Sequence, residues 1–339
     1  MREADRTLEQ TKARIARRRV LAGLATLPAL SSPVRAQQRA FPERPVRLIV
    51  PFGPGTLTDT FARVVTANIA SSLGQTVVIE NRPGANAIVG VEAASRATPD
   101  GYTILLGTDQ AMAVNPVLFR SLPYDAPRDF APVLGLASVE YVLVVAPTLP
   151  VRSVADLVAL AKAQPGRLTF ASTGAGTPAR LTAELFQRDA GIELLHVPYQ
   201  GGIGPLFADL LNGTVSMLFY PYQPLKPQVE AGRMRALATA SAERPSWLSE
   251  LPTLQELGFR RTLMAASIAV YAPAGTPPDR IARLGDAFRR VMDTPEVRAT
   301  LGQSGTSVRL LPPAELAVFN AAERERYREV LALAGVGQE

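Results

Sequence analysis

Short apolar, β-branched runs alternate with amphipathic stretches along most of this chain, and that alternation restricts the fold more than any other feature. VRLIVPF (Val46 to Phe52) leads through a Gly and Pro loop into TDTFARVVTANIASSLG, where Phe61, Val64, Val65, Asn68 and Ile69 recur at spacings of three and four. The pattern predicts strand, loop and helix, with Thr58 as N-cap and Gly74 as the stop. TVVIEN, a turn and helix over RPGANAIVGVEAASRA, and YTILLGT repeat the unit. Such repetition predicts an α/β fold whose strands are mainly parallel and whose helices are the crossovers.

The run VLGLASVEYVLVVAP (Val133 to Pro147) exceeds the usual strand length of about 5 to 6 residues and is expected to cross between two lobes. Beyond it the alternation resumes through SVADLVALAKAQ, LTFAS, PARLTAELFQRDAG, LLHVPY, GIGPLFADLLNG and VSMLFY, which predicts a second α/β lobe. The strand-like MAASIAVYAP (Met264 to Pro273) and the helices from Pro278 onward are expected to return to the first lobe. A length of 339 residues suits two cores better than one.

The formal charge of +6 does not describe the folded part. Residues 1–36 hold eight Lys or Arg against three Asp or Glu, which leaves 28 basic against 27 acidic residues for the rest. With no run of aromatics among basic residues either, nucleic acid is excluded as a partner. Arg14, Arg17, Arg18 and Arg19 precede the apolar stretch Val20 to Leu30, and Val34 and Ala36 are small enough for a cleavage site. Residues 1–36 therefore read as a signal peptide cleaved near Ala36, too short in its apolar part to span a bilayer, and the mature protein is expected in the periplasm. Arg17 to Leu21 also fits the twin-arginine order, so Sec and Tat export both stay open. The chain has no Cys and one His, which removes disulfides, thiolate chemistry and a two-histidine metal site.

Two loops carry the binding chemistry. In an open parallel sheet a ligand sits beyond the carboxyl ends of the strands, against helix N-termini with unpaired amides. GPGTLTD (Gly53 to Asp59) offers backbone at Gly53 and Gly55 and hydroxyls at Thr56 and Thr58, while Asp59 at a helix start is explained by the helix dipole alone. STGAGTP (Ser172 to Pro178) is the second, leading into a helix that begins near Arg180. Facing each other, the two would clamp an anion. Gly174, Gly176 and Ala179 also match the dinucleotide fingerprint G-x-G-x-x-A, with Glu193 about 20 residues on, so a nicotinamide-dependent enzyme is a rival reading. His196 is the only imidazole and reads as a hydrogen-bonded structural group; no catalysis and no cofactor are expected.

The ordered set PVRLIVPFGPGTLTD, VVIENRPGAN, PDGYTILLGT, AKAQPGRLTFASTGAGT, LLHVPYQGG and APAGTP resembles the Bug proteins, the periplasmic receptors of tripartite tricarboxylate transporters. The likeness runs from about Phe41 to beyond Pro277 and weakens toward the C-terminus. It implies a two-lobed periplasmic-binding-protein fold of type II, each lobe a mixed, mainly parallel sheet flanked by helices, with crossovers near Val142 and Met264. Lobe 1 is expected over residues 41–140, lobe 2 over 141–264, and the return to lobe 1 over 265–339. The family's first ligand loop falls on Phe52, Gly53, Gly55, Thr56, Leu57, Thr58 and Asp59. Its second falls on Ser172, Thr173, Gly174, Gly176 and Thr177, with Thr108 and Tyr220 at further pocket edges.

The implied ligand is a small carboxylate: a di- or tricarboxylate, an aromatic acid or an amino acid. The implied partners are membrane transporter subunits served by a monomeric receptor that closes about a hinge; a membrane sensor is the rival partner. This chain departs from the family at Thr56 and Leu57, at Arg180 in place of a frequent His, at Tyr220 in place of a frequent Asp, and at Ser267 in place of Trp. Losing the acid disfavours ligands with an amine. Arg180 favours a second acidic group if it reaches inward, and is otherwise a solvated helix-face cation.

Overall fold

Val46 to Val50 form β1, and four of its five residues are buried because both faces of the strand are covered. Leu48 and Val50 enter one core cluster and Ile49 another, as the two-residue period of a strand requires. The structure, a computed structural model, describes residues 41–174, 177–199, 203–262 and 265–333. The expected signal segment 1–36, Gly176 and Met264 lie outside the described residues.

After β1 come α1 (Leu57–Ala67), β2 (Val77–Asn81), α2 (Ile88–Ser95) and β3 (Thr103–Thr108), with β1 paired in parallel to both β2 and β3. One helix was expected from Thr58 to Gly74. Instead α1 ends at Ala67 with Asn68 as its C-cap, and a short helical turn follows over Ala70–Leu73 before Gly74 at φ +86°.

The long strand β4 (Phe130–Val145) comes next, then α3 (Val154–Ala163), β5 (Thr169–Ser172), α4 (Pro178–Ala190), β6 (Leu195–Pro198), α5 (Ile203–Asn212), β7 (Met217–Pro221), α6 (Tyr222–Glu230) and β8 (Arg235–Thr239). β9 (Ala265–Pro273), α7 (Pro278–Met292), α8 (Pro295–Gln303), β10 (Thr306–Leu311) and α9 (Pro313–Leu333) complete the described chain. β5 pairs in parallel with β6 and β7, so the second half repeats the parallel logic of the first. The sheet is mixed, and every antiparallel pairing involves β4 or β9.

β4 joins the two parallel groups. Phe130 to Glu140 pair with β9, and part of the same stretch pairs with β10. Tyr141 to Val145 pair with β7, and Val142 to Val145 also with β8. The partners change between Glu140 and Tyr141. β3 is antiparallel to β9 and β9 to β4, so β3 runs in the direction of β4, whereas β7 runs against it. Thr108 at the end of β3 is level, through Ile268, with Ala137; Tyr220 near the end of β7 is level with Val142. The carboxyl ends of the two parallel groups therefore approach the middle of β4 from opposite directions, five residues or about 17 Å apart along the strand.

The C-terminal helix spans two cores. Leu316 packs with Ile49, Leu105 and Tyr271, while Tyr327, Val330 and Leu331 belong to the cluster of Phe170, Phe186 and Phe219. Residues 265–339 were expected to return to the first lobe; the last turns of α9 instead pack against strands and helices of the second group. No described helix is long and apolar enough to cross a membrane.

Candidate functional site

The first loop is built around a buried carboxylate. Asp59, 1% exposed, accepts from the Gly55 amide at 2.9 Å, from Arg63 Nε at 2.9 Å and Nη2 at 3.1 Å, and from Asn81 Nδ2 at 2.9 Å. Asn81 also donates to the carbonyl of Phe52 at 3.0 Å, which ties the end of β2 to the start of the loop. The Arg63 guanidinium, with the Gly55 and Asn81 donors, holds the Asp59 carboxyl down at about 2 against the opposing effect of burial. With both oxygens engaged by the protein, Asp59 organises the loop.

Thr56, not Thr58, is the N-cap: its hydroxyl accepts from the Asp59 amide at 3.3 Å and donates to Gly53 O at 2.8 Å, because Gly55 at φ +78° turns the chain into the extended N-cap conformation one residue later. That shift frees the next two amides. Among the described residues, no hydrogen bond is made by the amides of Leu57 and Thr58, the first two of an eleven-residue helix, and nothing accepts from Gly53 N. α2 seats the loop from below. A Cβ on Gly90 would lie 2.7 Å from Pro51 Cα and from Arg82 O, so only glycine permits this approach.

The second loop hangs on Ser172 and His196. Ser172, 1% exposed, donates to Gly174 O at 3.1 Å, and its oxygen lies 2.7 Å from His196 Nε2. Burial and the positive charge of Arg180 push the imidazole down to about 4, so it is neutral, and it stacks on Phe170 at 4.9 Å. Thr177 caps back through its hydroxyl to Gly174 O at 2.8 Å, and Thr173 stands half-buried between these anchors. α4 then opens on Pro178, which has no amide to leave unpaired, and the amides of Ala179 and Arg180 have no partner among the described residues.

Arg180 is not a solvated helix-face cation. Its side chain is 21% exposed, Nε lies 3.6 Å from Glu184 Oε1, and that buried Nε has no hydrogen-bond partner.

Thr108 and Tyr220 close the set. Thr108 is 7% exposed and its hydroxyl is buried without a partner, at the end of β3, the strand that pairs in parallel with β1. Tyr220 is half-buried in β7, the strand that pairs in parallel with β5, and stands edge-on to Phe207 at 5.8 Å; burial raises its phenol. The Phe52 to Asp59 loop and Thr108 thus follow strands of one parallel group, and Ser172 to Gly174, Thr177, Arg180 and Tyr220 lie at strands of the other. No hydrogen bond or ion pair joins the two groups among the described residues.

Sequence reasoning missed Asp109, which follows Thr108, is 3% exposed and accepts from Tyr327 OH at 2.5 Å. It also missed the supports Arg63 and Asn81, although Arg63 stands four residues after Asp59 on one helix face, which is a readable signal. The dinucleotide reading does not fit. Glu193 is exposed and precedes β6, at the end of the sheet opposite the Ser172 loop, whereas the fingerprint needs its acid beyond the carboxyl end of the neighbouring strand. Among the described residues, no three His, Asp or Glu side chains are grouped to hold a metal.

Residues 61–335 match the family model described as the tripartite tricarboxylate transporter family receptor. The chain is similar to the UPF0065 protein of the tcbD-tcbE intergenic region of Pseudomonas sp. strain P51, at 37% identity over 94% of this chain and 95% of that protein. It is also similar to BugT of Bordetella pertussis, at 35% identity over 89% of this chain and 92% of BugT. Among solved structures it resembles R. palustris Rpa4515 with adipate, with 33% identity, a TM-score of 0.78 and coverage of 88% of this chain and 100% of that one.

Proposed function

This chain belongs to the tripartite tricarboxylate transporter receptor family, and on that premise we propose that it is a periplasmic receptor that closes on a small carboxylate and presents it to a membrane transporter. The observation that carries the reading is the approach of two helix entrances toward the middle of β4 from opposite directions. One group offers the unpartnered amides of Leu57 and Thr58 and the orphaned Thr108 hydroxyl; the other offers Ala179, Arg180 and Tyr220. A carboxylate at the first entrance gains amide hydrogen bonds and the favourable end of the α1 dipole. A second acid group suits Arg180, whose Nε has Glu184 at 3.6 Å but no hydrogen-bond partner. The adipate seen with the R. palustris relative supports an acid of this class.

Closure follows from differential contact: a ligand that touches both entrances stabilises only the state in which they are near each other. The pivot would be β4 where its partners change, between Glu140 and Tyr141, together with the start of β9, which divides lobe 1 from residues 141–264.

Calorimetric titration of the mature chain with adipate, malate and citrate tests this. At least one acid should bind, and Thr108→Val should weaken it by about 1.5 kcal/mol, roughly tenfold, as expected for one hydrogen bond to a charged group. Failure of all the acids to bind, or unchanged affinity in both Thr108→Val and Thr58→Ala, would reject the site.

A further inference from the structure

A cavity of about 560 Å³ lies on the other side of β4 from these loops. β10 lies along the edge of β4 opposite β9, because both pair with the same residues, and the cavity is lined from the β10 side by Ser307 and Arg309, from β4 by Ser138 and Glu140, and from the segment after β8 by Ser241. None of its lining residues belongs to the Phe52 to Asp59 loop or the Ser172 to Thr177 loop.

Two lining groups are deeply buried and incompletely bonded. Glu140 is 5% exposed; Oε1 accepts from Ser138 at 2.8 Å, while Oε2 has no hydrogen-bond partner. Ser241 is 4% exposed and its hydroxyl also lacks a partner. Burial pushes the Glu140 carboxyl up from its usual range, against the pull of the Ser138, Ser241 and Ser307 hydroxyls and of Arg309; the Ser241 hydroxyl is near enough to act on the carboxyl but is not in hydrogen-bond geometry with it. An unmade bond on a buried carboxylate is unfavourable, and a donor entering the cavity would remove that penalty.

The arginines decide what kind of donor. Arg244 is bound to Glu256 and Arg326 to Glu323, whereas Arg309 stacks on Phe319 at 5.0 Å and has no carboxylate within ion-pair distance among the described residues. The cavity is therefore lined by one buried acid, Glu140, and one base, Arg309, with unfilled capacity, and also by the exposed Glu243, which has no ion pair among the described residues. A simple anion would meet Glu140, and a simple cation would leave Arg309 unanswered. We propose that this cavity is a second ligand site for a small zwitterion, with its ammonium on Glu140 Oε2 and the Ser241 hydroxyl and its carboxylate on Arg309. The volume is in the range of small-molecule sites.

The probe is β-alanine, titrated into the mature full chain, with propionate and propylamine as single-charge controls. β-Alanine should bind in the millimolar range or tighter, and each control at least about tenfold more weakly, since charge-assisted bonds are lost at one end. Glu140→Gln and Arg309→Gln should each weaken β-alanine by about tenfold or more, while Thr108→Val leaves it unchanged. Arg309 is exposed, so its variant tests the site even if the Glu140 variant fails to fold. No β-alanine binding to the wild type, equal binding in Arg309→Gln, or a loss seen in Thr108→Val instead would overturn the assignment.

Discussion

Replacing Asp109 by Asn should make the protein more stable at neutral pH, by an amount that grows with pH. Asp109 is 3% exposed, and burial raises its carboxyl to about 6, with Glu323 acting in the same direction and the Tyr327 hydroxyl bond opposing. In the unfolded chain the group titrates at 3.8. The folded state thus binds this proton more tightly, so stability from this group is full below about pH 4 and declines as pH rises toward about 6. The gap between the two values corresponds to about 3 kcal/mol at neutral pH, an upper figure because a buried site relaxes when it ionises. An Asn oxygen still accepts from Tyr327 OH, and no charge is buried. Urea unfolding of both proteins from about pH 3 to about pH 7.5 should give curves that nearly meet at the acid end and separate by up to about 3 kcal/mol at pH 7. Parallel curves, or an Asn variant less stable at pH 7, would refute the reasoning.

Asp59→Asn should act with the opposite sign. The Asp59 carboxyl is held at about 2, so its stabilisation is present above about pH 4 and lost as pH falls toward 2; because the Arg63 side chain is 58% exposed and screened, the expected loss at pH 7 is about 1–2 kcal/mol by urea unfolding, and no loss would remove Asp59 as the organiser of its loop. Gly90→Ala places a Cβ 2.7 Å from Pro51 Cα and should cost about 1–3 kcal/mol in thermal or urea unfolding while shifting the first loop and weakening adipate; an unchanged melt and titration would mean that α2 does not seat the loop.

The fold was legible where it depends on local pattern. The β-branched runs at Val46, Thr76 and Tyr102 do become strands; the first and third are covered on both sides, as a pattern with both faces apolar needs, while the second is the sheet edge and leaves Val78 exposed. The run near Val133 was readable as too long for one ordinary strand, and β4 extends over 16 residues. Strand direction was not readable from the same pattern: nothing in MAASIAVYAP distinguishes a parallel strand from the antiparallel β9, since hydrophobic period carries no direction. Nor does the sequence of α9, rich in charge, say that its two ends enter different cores.

At the site, the N-cap was recoverable. Thr56 precedes Asp59 by three, the spacing at which a cap hydroxyl meets the third helical amide, and Thr58 lacks that partner. Arg180 was not recoverable, because Glu184 four residues on is equally consistent with an exposed pair, and only the packing of α4 beside His196 takes the guanidinium out of water. Thr108 is orphaned through registers set against Ile268 and, beyond it, Ala137. Whether two glycine loops confront one another depends on β3 running with β4 while β7 runs against it, and one reversal of either strand would send its loop to the far end of the sheet. Motif spacing within each loop is blind to that reversal. The proposed clamp is therefore a property of β4 pairing with residues as distant in the chain as Leu311, which is level with Gly135, and any substitution that slips its register should disable both entrances together.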